Sequence, residues 1–248
     1  RHKDLYDQAF AIFALAHHHR VFGAPESLRL AHSTLSLVCE HLRDPAFGGF
    51  FEGASEDWRP IHGPRRQNPH MHLFEALLAL LEVAPDDVAK REARALVELL
   101  GSRWLDPDGD ALGEHFDSSW RPLEGDSGRV VEPGHHFEWV WLLDRFAALE
   151  PDDATRSLAT RLLGFARRFG VDADGGVFDQ VDRGGRPLAT GKRLWPQTER
   201  VKALAARVRA SGDADLRREL GAGLAYCFAR HVDPATRGWH EQLDREGR

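Results

Sequence analysis

Glu132-Pro-Gly-His-His-Phe-Glu-Trp-Val-Trp-Leu-Leu143 is a turn that runs straight into an apolar helix. Pro133 and Gly134 make the turn, and a proline at this point is a helix-start signal. From Phe137 to Phe146 the apolar residues keep helical spacing. Two histidines and a carboxylate crowd the first helical turn. His135 and Glu138 are three residues apart and share a face. First-turn N–H groups have no intrahelical partner, so a ligand oxygen can reach them. A histidine there can be tuned away from its solution pKa of ~6.5. The plain structural reading is a capped helix with a surface histidine pair, and this segment alone favours it.

The pattern recurs on both sides of this stretch. Helical runs are predicted over residues 5–22 and 25–42, 69–83 and 85–104, 133–149 and 151–169, and 196–210 and 214–231. Long Gly-rich loops separate the pairs. The loop segments Gly48-Gly-Phe-Phe-Glu52, Ala111-Leu-Gly-Glu114, Gly176-Val-Phe-Asp179 and Gly238-Trp-His-Glu241 each follow an Asp-rich turn. Their acidic residues lie 62, 65 and 62 apart, and Pro69, Pro133 and Pro196 lie 64 and 63 apart. A fixed period in this range denotes a repeat architecture. Each unit is a helix hairpin plus a loop, with a short β-hairpin expected at Gly176–Asp182.

In each pair the first helix is the more apolar, as in Leu73–Leu81, Phe137–Phe146 and Val201–Val208. The second carries more charge, as in Lys90–Arg94. Apolar helices inside and amphipathic helices outside suit a two-layer barrel of helices. Long loops gathered on one face would build a shared funnel. Armadillo-type solenoids have shorter loops and repeats. The expected fold is therefore all-α, a toroid of helix hairpins with short β-hairpins on one face, in a single domain over 1–248. About four of six pairs are visible, so the chain reads as an incomplete fragment. Arg1 and the polar ending Asp244–Arg248 agree with that reading.

The chain has 248 residues, a formal net charge of −6 and no basic block, which argues against nucleic acid. Apolar runs such as Leu77–Leu81 fall short of the ~20 residues of a membrane span. The N-terminus has no signal-peptide core. Cys39 and Cys227 sit in helical patterns and are expected as buried free thiols in a reducing, cytoplasmic setting. Fourteen histidines and seven tryptophans are the unusual part of the composition.

Three loop-to-helix junctions carry the reactive side chains: Arg65–Glu75, Glu132–Trp139 and Lys192–Glu199. His72, His136 and Glu199 each lie three residues after their repeat proline. His70 and His72 point apart on a helix, so a metal pair is disfavoured, and no metal or cofactor is expected. Glu75 lies one turn after His72 and could orient it. Arg65 and Arg66 read equally as anion binders or as solvated loop charges. Trp195 could stack on a sugar ring, whereas Trp139 and Trp141 read as core. Asn68 before Pro69 is a good N-cap. His17-His-His19 sits within a helix and reads as structural.

Arg-Gln-Asn-Pro-His-Met-His-Leu-Phe-Glu-Ala (66–76), Pro-Gly-His-His-Phe-Glu-Trp (133–139) and Leu-Trp-Pro-Gln-Thr-Glu (194–199) closely resemble the N-acylglucosamine 2-epimerase superfamily. The resemblance covers nearly the whole chain and implies an (α/α)6 barrel. The segment Asn68–Glu75 looks most like the mannose isomerase branch. By that resemblance His135 matches a general acid/base histidine and Glu138 its carboxylate partner. Asn68 and His72 match sugar-contacting residues, with His72 near the reacting carbons. Trp195 matches an aromatic wall, and Glu199 lies in the same motif. A second catalytic histidine and a substrate-binding arginine of the family have no counterpart here.

The implied activity is metal-free interconversion of mannose and fructose on a free monosaccharide, by a monomer or homodimer. A sugar 2-epimerase of the N-acylglucosamine or cellobiose type is the alternative. A glycoside hydrolase, using pairs such as Glu138 with Glu199 or Glu114 with Asp179, or an inactive sugar-binding protein are further alternatives.

Overall fold

The computed structural model describes residues 2–248. Its helices are α1 (Leu5–Phe22), α2 (Pro25–His41), α3 (Gln67–Leu81), α4 (Asp87–Leu99), α5 (Pro133–Leu149), α6 (Asp153–Phe169), α7 (Leu194–Ser211) and α8 (Ala214–Tyr226). These are the expected pairs. The second helices of three pairs open on an aspartate. Asp86, Asp152 and Asp213 each accept hydrogen bonds from first-turn N–H groups, such as Ala89 N at 2.8 Å and Thr155 N at 2.9 Å. Such a cap is worth about 1 kcal/mol. It explains why α4 and α6 begin two residues after the expected Pro85 and Pro151. Single π-helical turns, Leu100–Trp104 and Cys227–His231, extend α4 and α8 to their expected ends.

The chain forms two compact units. The first comprises the chain up to Leu105 together with Glu114–Gly128; the second comprises Asp106–Gly113 and Arg129–Arg248. In the first, α1 packs on α2 and α3, and α3 on α4. In the second, α5 packs on α6 and α7, and α7 on α8. Helix α3 is buried almost all round, through Met71, Leu73, Phe74, Leu77, Leu78 and Leu80. Helix α5 is alike, through Phe137, Trp139, Val140, Leu142, Leu143 and Phe146. Helices α4 and α6 bury only a stripe, as a charged outer layer should. Helices α1 and α7 also bury one stripe, so the expected inner run Val201–Val208 is buried only at Ala203 and Leu204.

Short strands set the register of the repeats. β1 (Lys3–Asp4) pairs with β2 (Gly53–Ala54), β3 (Arg65–Arg66) with β4 (His115–Phe116), and β5 (Val130–Val131) with β6 (Gln180–Asp182). Beyond β7 (Pro187–Ala189), β8 (Lys192–Arg193) pairs with β9 (Gln242–Leu243). The pairs Lys3–Ala54, Arg65–Phe116, Val131–Val181 and Lys192–Leu243 put each helix entry against a strand some 50 residues on. Each of these later strands starts one residue after the repeat acid.

The third loop's hairpin differs from expectation. It runs from β6 to β7, not over residues 176–182. Asp182 Oδ1 holds the turn by accepting from Gly184 N and Arg186 N, both at 2.9 Å, and Gly185 takes the left-handed conformation (φ 82°). The same turn station holds Gly247 (φ 77°), Trp58 (φ 63°) and Trp120 (φ 66°). A left-handed tryptophan costs on the order of 1–2 kcal/mol. At Trp120 packing offsets it: the ring is buried against His70 and Trp104, and its indole N–H donates to Gly48 O at 3.0 Å.

Among the described residues no helix is long and apolar enough to cross a membrane. Cys39 and Cys227 are free thiols, both held above the usual thiol range by burial.

Candidate active site

A hydrogen-bond clamp at the start of three inner helices fixes where each functional side chain falls. In the first unit, His70 Nε2 accepts from Phe50 N at 3.0 Å, and Nδ1–H donates to Arg66 O at 3.0 Å. In the second, His136 Nε2 accepts from Leu112 N at 3.1 Å, with Nδ1 3.4 Å from Glu132 O. Gln197 makes the same bonds, accepting from Val177 N at 2.7 Å and donating to Arg193 O at 3.0 Å. The clamp residue therefore lies four beyond the last residue before its helix each time.

This register differs from the count made from the prolines. Pro133 opens α5, whereas Pro69 and Pro196 lie two residues inside α3 and α7. His136 consequently corresponds to His70, not to His72. The residue two past the clamp is His72 in α3, Glu138 in α5 and Glu199 in α7. His70 and His136 spend their ring nitrogens on backbone groups and are structural. Burial holds His70 down at about 4, so it is neutral near pH 7.

In the first unit His72 is largely buried, with Nδ1 3.3 Å from Glu75 Oε2. Tyr6 and Phe10 of α1 pack against its ring, each with a centroid separation of 4.9 Å. Neither aromatic was a sequence candidate; their i, i+4 spacing on α1 was the available signal. Asn68 does not cap its helix. It is the second residue of α3, and among the described residues its buried Oδ1 has no hydrogen-bond partner. Arg65 and Arg66 are not free anion binders. Arg65 is buried against Asp44 and lies over the rings of Phe51 and Trp120, while Arg66 pairs with Glu52.

In the second unit His135 is 7% exposed and faces Trp195, with ring centroids 4.9 Å apart. Gly134 makes that approach possible, because a Cβ there would stand 2.5 Å from the indole ring. His135 Nδ1 is 3.9 Å from Glu132 Oε2. Glu132 in turn accepts from Gln180 Nε2 at 3.2 Å and Arg193 Nη2 at 3.3 Å. Arg193 also lies over the Trp195 ring. Glu132 was missed in the sequence, although it stands three residues before His135 in the opening motif. Glu138, three residues beyond His135 on α5, is buried. Glu199 accepts from Trp141 Nε1 at 2.9 Å and pairs with Lys202 at 2.8 Å. Trp139 is core, as expected, but Trp141 is only partly buried and serves this bond.

The loop acids are structural. Asp179 Oδ1 accepts from Arg193 N at 2.8 Å, and Oδ2 from Gln242 Nε2 at 3.0 Å. Glu114 accepts from Gln67 Nε2 at 2.9 Å. The arrangement around His135 suits proton transfer beside an aromatic wall: one imidazole, carboxylates three residues before and after it, and an indole face.

Residues 1–248 match the family model described as N-acylglucosamine 2-epimerase. The chain is 36% identical over 262 aligned positions to the mannose-6-phosphate isomerase of Rhizobium meliloti (strain 1021), covering 98% of this chain and 64% of that protein. It is 28% identical to the D-mannose isomerase of Pseudomonas cannabina pv. alisalensis, covering 85% of this chain and 55% of that one. The chain thus spans between half and two-thirds of the length of these relatives. The structure of cellobiose 2-epimerase from Bacillus thermoamylovorans B4167 superposes with a TM-score of 0.90 at 19% identity, over 100% of this chain and 66% of that one. The fold class is the (α/α)-barrel class expected from the repeat.

Proposed function

The chain belongs to the N-acylglucosamine 2-epimerase family, and from that premise we propose that it serves an aldose–ketose isomerase interconverting D-mannose and D-fructose. The observation that carries this reading is His135, buried beside the Trp195 indole with Glu132 and Glu138 on either side of it in sequence. The relative named D-mannose isomerase supports the substrate, and the one named mannose-6-phosphate isomerase supports the aldose–ketose reaction.

The reaction moves protons only. After ring opening, a base takes the C2 proton while O1 of the aldehyde gains one, giving a cis-enediol. C1 then gains a proton, O2 loses one, and C2 becomes the ketone carbon. A histidine can carry this two-way traffic near neutral pH, for a gain of ~10²–10⁴-fold. His135 assists proton transfer at ring opening, and Glu138 sets its tautomer. The Trp195 face packs against the sugar ring, and Glu199, held by Trp141 and Lys202, supports that wall. In the first unit, Asn68 and His72 are the residues assigned to sugar hydroxyls, as the family resemblance implies.

A 2-epimerase uses the same groups and returns the proton to the opposite face of C2; a relative 27% identical and named cellobiose 2-epimerase keeps it as the second reading. Hydrolysis through Glu114 and Asp179 has no support, since both carboxylates are engaged in backbone or amide bonds.

Proton NMR of mannose with the protein in D₂O, after chelator treatment, tests the proposal. Fructose carrying deuterium at C1 is the expected product. Glucose as first product would reassign the activity to 2-epimerisation. Turnover of mannose 6-phosphate but not mannose would change the substrate, and no exchange into any free sugar would overturn the proposal.

A further inference from the structure

One buried charge in the second unit has no part in this chemistry. Arg200, on α7, is 7% exposed. Among the described residues its one hydrogen bond runs from Nη1 to Gly175 O at 2.7 Å. Among the described residues no carboxylate pairs with it. Glu219, whose charge acts on it, is taken by Arg167 through Nε at 2.9 Å and again through Nη2. Burial pulls the Arg200 guanidinium below the usual arginine range, and Glu219 only partly opposes this.

These three residues line an open groove of about 360 Å³ with Gly164, Arg168 and Val171. The Arg168 guanidinium lies 4.8 Å from the centroid of the Phe169 ring and makes no ion pair among the described residues. The groove thus presents three guanidinium groups and one carboxylate, a net charge of +2. Gly164 adds an independent sign. It sits within α6, where glycine costs about 1 kcal/mol relative to alanine. No packing requires it, because a Cβ there would meet nothing within 4 Å. Gly164 is exposed, and the space beside it is the mouth of the groove.

A buried guanidinium without an anion is costly, and its planar fork matches phosphate oxygens in pairs. We propose that the groove between α6, α7 and α8 binds a phosphate group, with Arg200 as the buried anchor and Arg168 closing on it from the rim. Inorganic phosphate is the minimal ligand, and a small phosphomonoester fills more of the volume. The site is separate from His135 and does not depend on the proposed isomerase activity.

The test is calorimetric titration of the protein with inorganic phosphate, and then with glycerol phosphate, at constant ionic strength. Saturable binding is expected, weakened by about tenfold or more in R168Q and in R200Q. If R200Q does not fold, R168Q and G164L decide the matter: Arg168 makes no ion pair among the described residues, and G164L places a side chain at the mouth of the groove without removing a charge. G164L should abolish binding while leaving mannose turnover and the unfolding midpoint in place. Binding unchanged in G164L and R168Q, or matched by chloride at equal ionic strength, would overturn the proposal.

Discussion

His70 and Gln197 perform one task with two chemistries: each accepts a loop N–H and donates to the carbonyl four residues before it in its own helix entry. The difference between them is protonation. His70 stays neutral in the folded chain down to about 4, whereas an unfolded histidine protonates near ~6.5. Between those values the unfolded state binds more protons, so stability is full above ~6.5 and is lost as pH falls. The loss amounts to about 3 kcal/mol for a shift of this size. Replacing His70→Gln should flatten that acid limb and leave stability at pH 8 within about 1 kcal/mol. Denaturant unfolding at pH 8 and pH 5 measures both; an unchanged pH slope would show that His70 does not carry it.

Gly134→Ala should injure the site more than the fold. The new methyl meets the Trp195 ring at 2.5 Å, so the indole must move away from His135. Helix propensity itself favours alanine by about 1 kcal/mol. A loss of catalytic efficiency of about tenfold or more, with an unfolding midpoint no lower than wild type, is the expected pair of results. Equal losses of activity and stability would point to general damage.

The two carboxylates near His135 should differ in weight. Glu132 is shared with Gln180 and Arg193, so Glu132→Gln should cost less than about tenfold in kcat. Glu138 is buried on α5, and Glu138→Gln should cost about 10²-fold. Steady-state kinetics on mannose ranks them. The reverse order would make Glu132 the partner of His135.

Two left-handed tryptophans give a stability contrast. Trp120 is 2% exposed and hydrogen-bonded, and Trp120→Ala should cost about 3–5 kcal/mol. Trp58 is only partly buried, stacking on His41 beneath Lys3. Trp58→Gly removes that contact but relieves a conformation glycine adopts freely, so its cost should stay within about 1 kcal/mol. Chemical denaturation of the two variants makes the comparison.

Much of the fold was legible because its determinants are local. Apolar spacing and the recurring loop acids fix helices and period without reference to distant residues, while the capping aspartates, equally local, were passed over for Pro85 and Pro151. The junction motifs named His135, Glu138, His72, Asn68, Trp195 and Glu199 as candidates for the same reason. The partners were not legible. Asn68 reads as a cap but lies inside α3, because β3 holds Arg65–Arg66 against His115–Phe116 and starts the helix earlier. Arg65 reads as a loop charge but is buried on Asp44.

By itself the sequence determined the helix pairs, their repeat and the short list of reactive side chains. Tertiary structure decided which histidines are spent on backbone groups and which pack against aromatic rings. His136 and His135 are neighbours in sequence, yet one closes on Leu112 N and the other meets an indole. Pairing between strands some 50 residues apart sets the helix register, and one residue along a helix turns a side chain by about 100°. That rotation, invisible in the linear spacing, puts one imidazole on a backbone N–H and its neighbour against an indole.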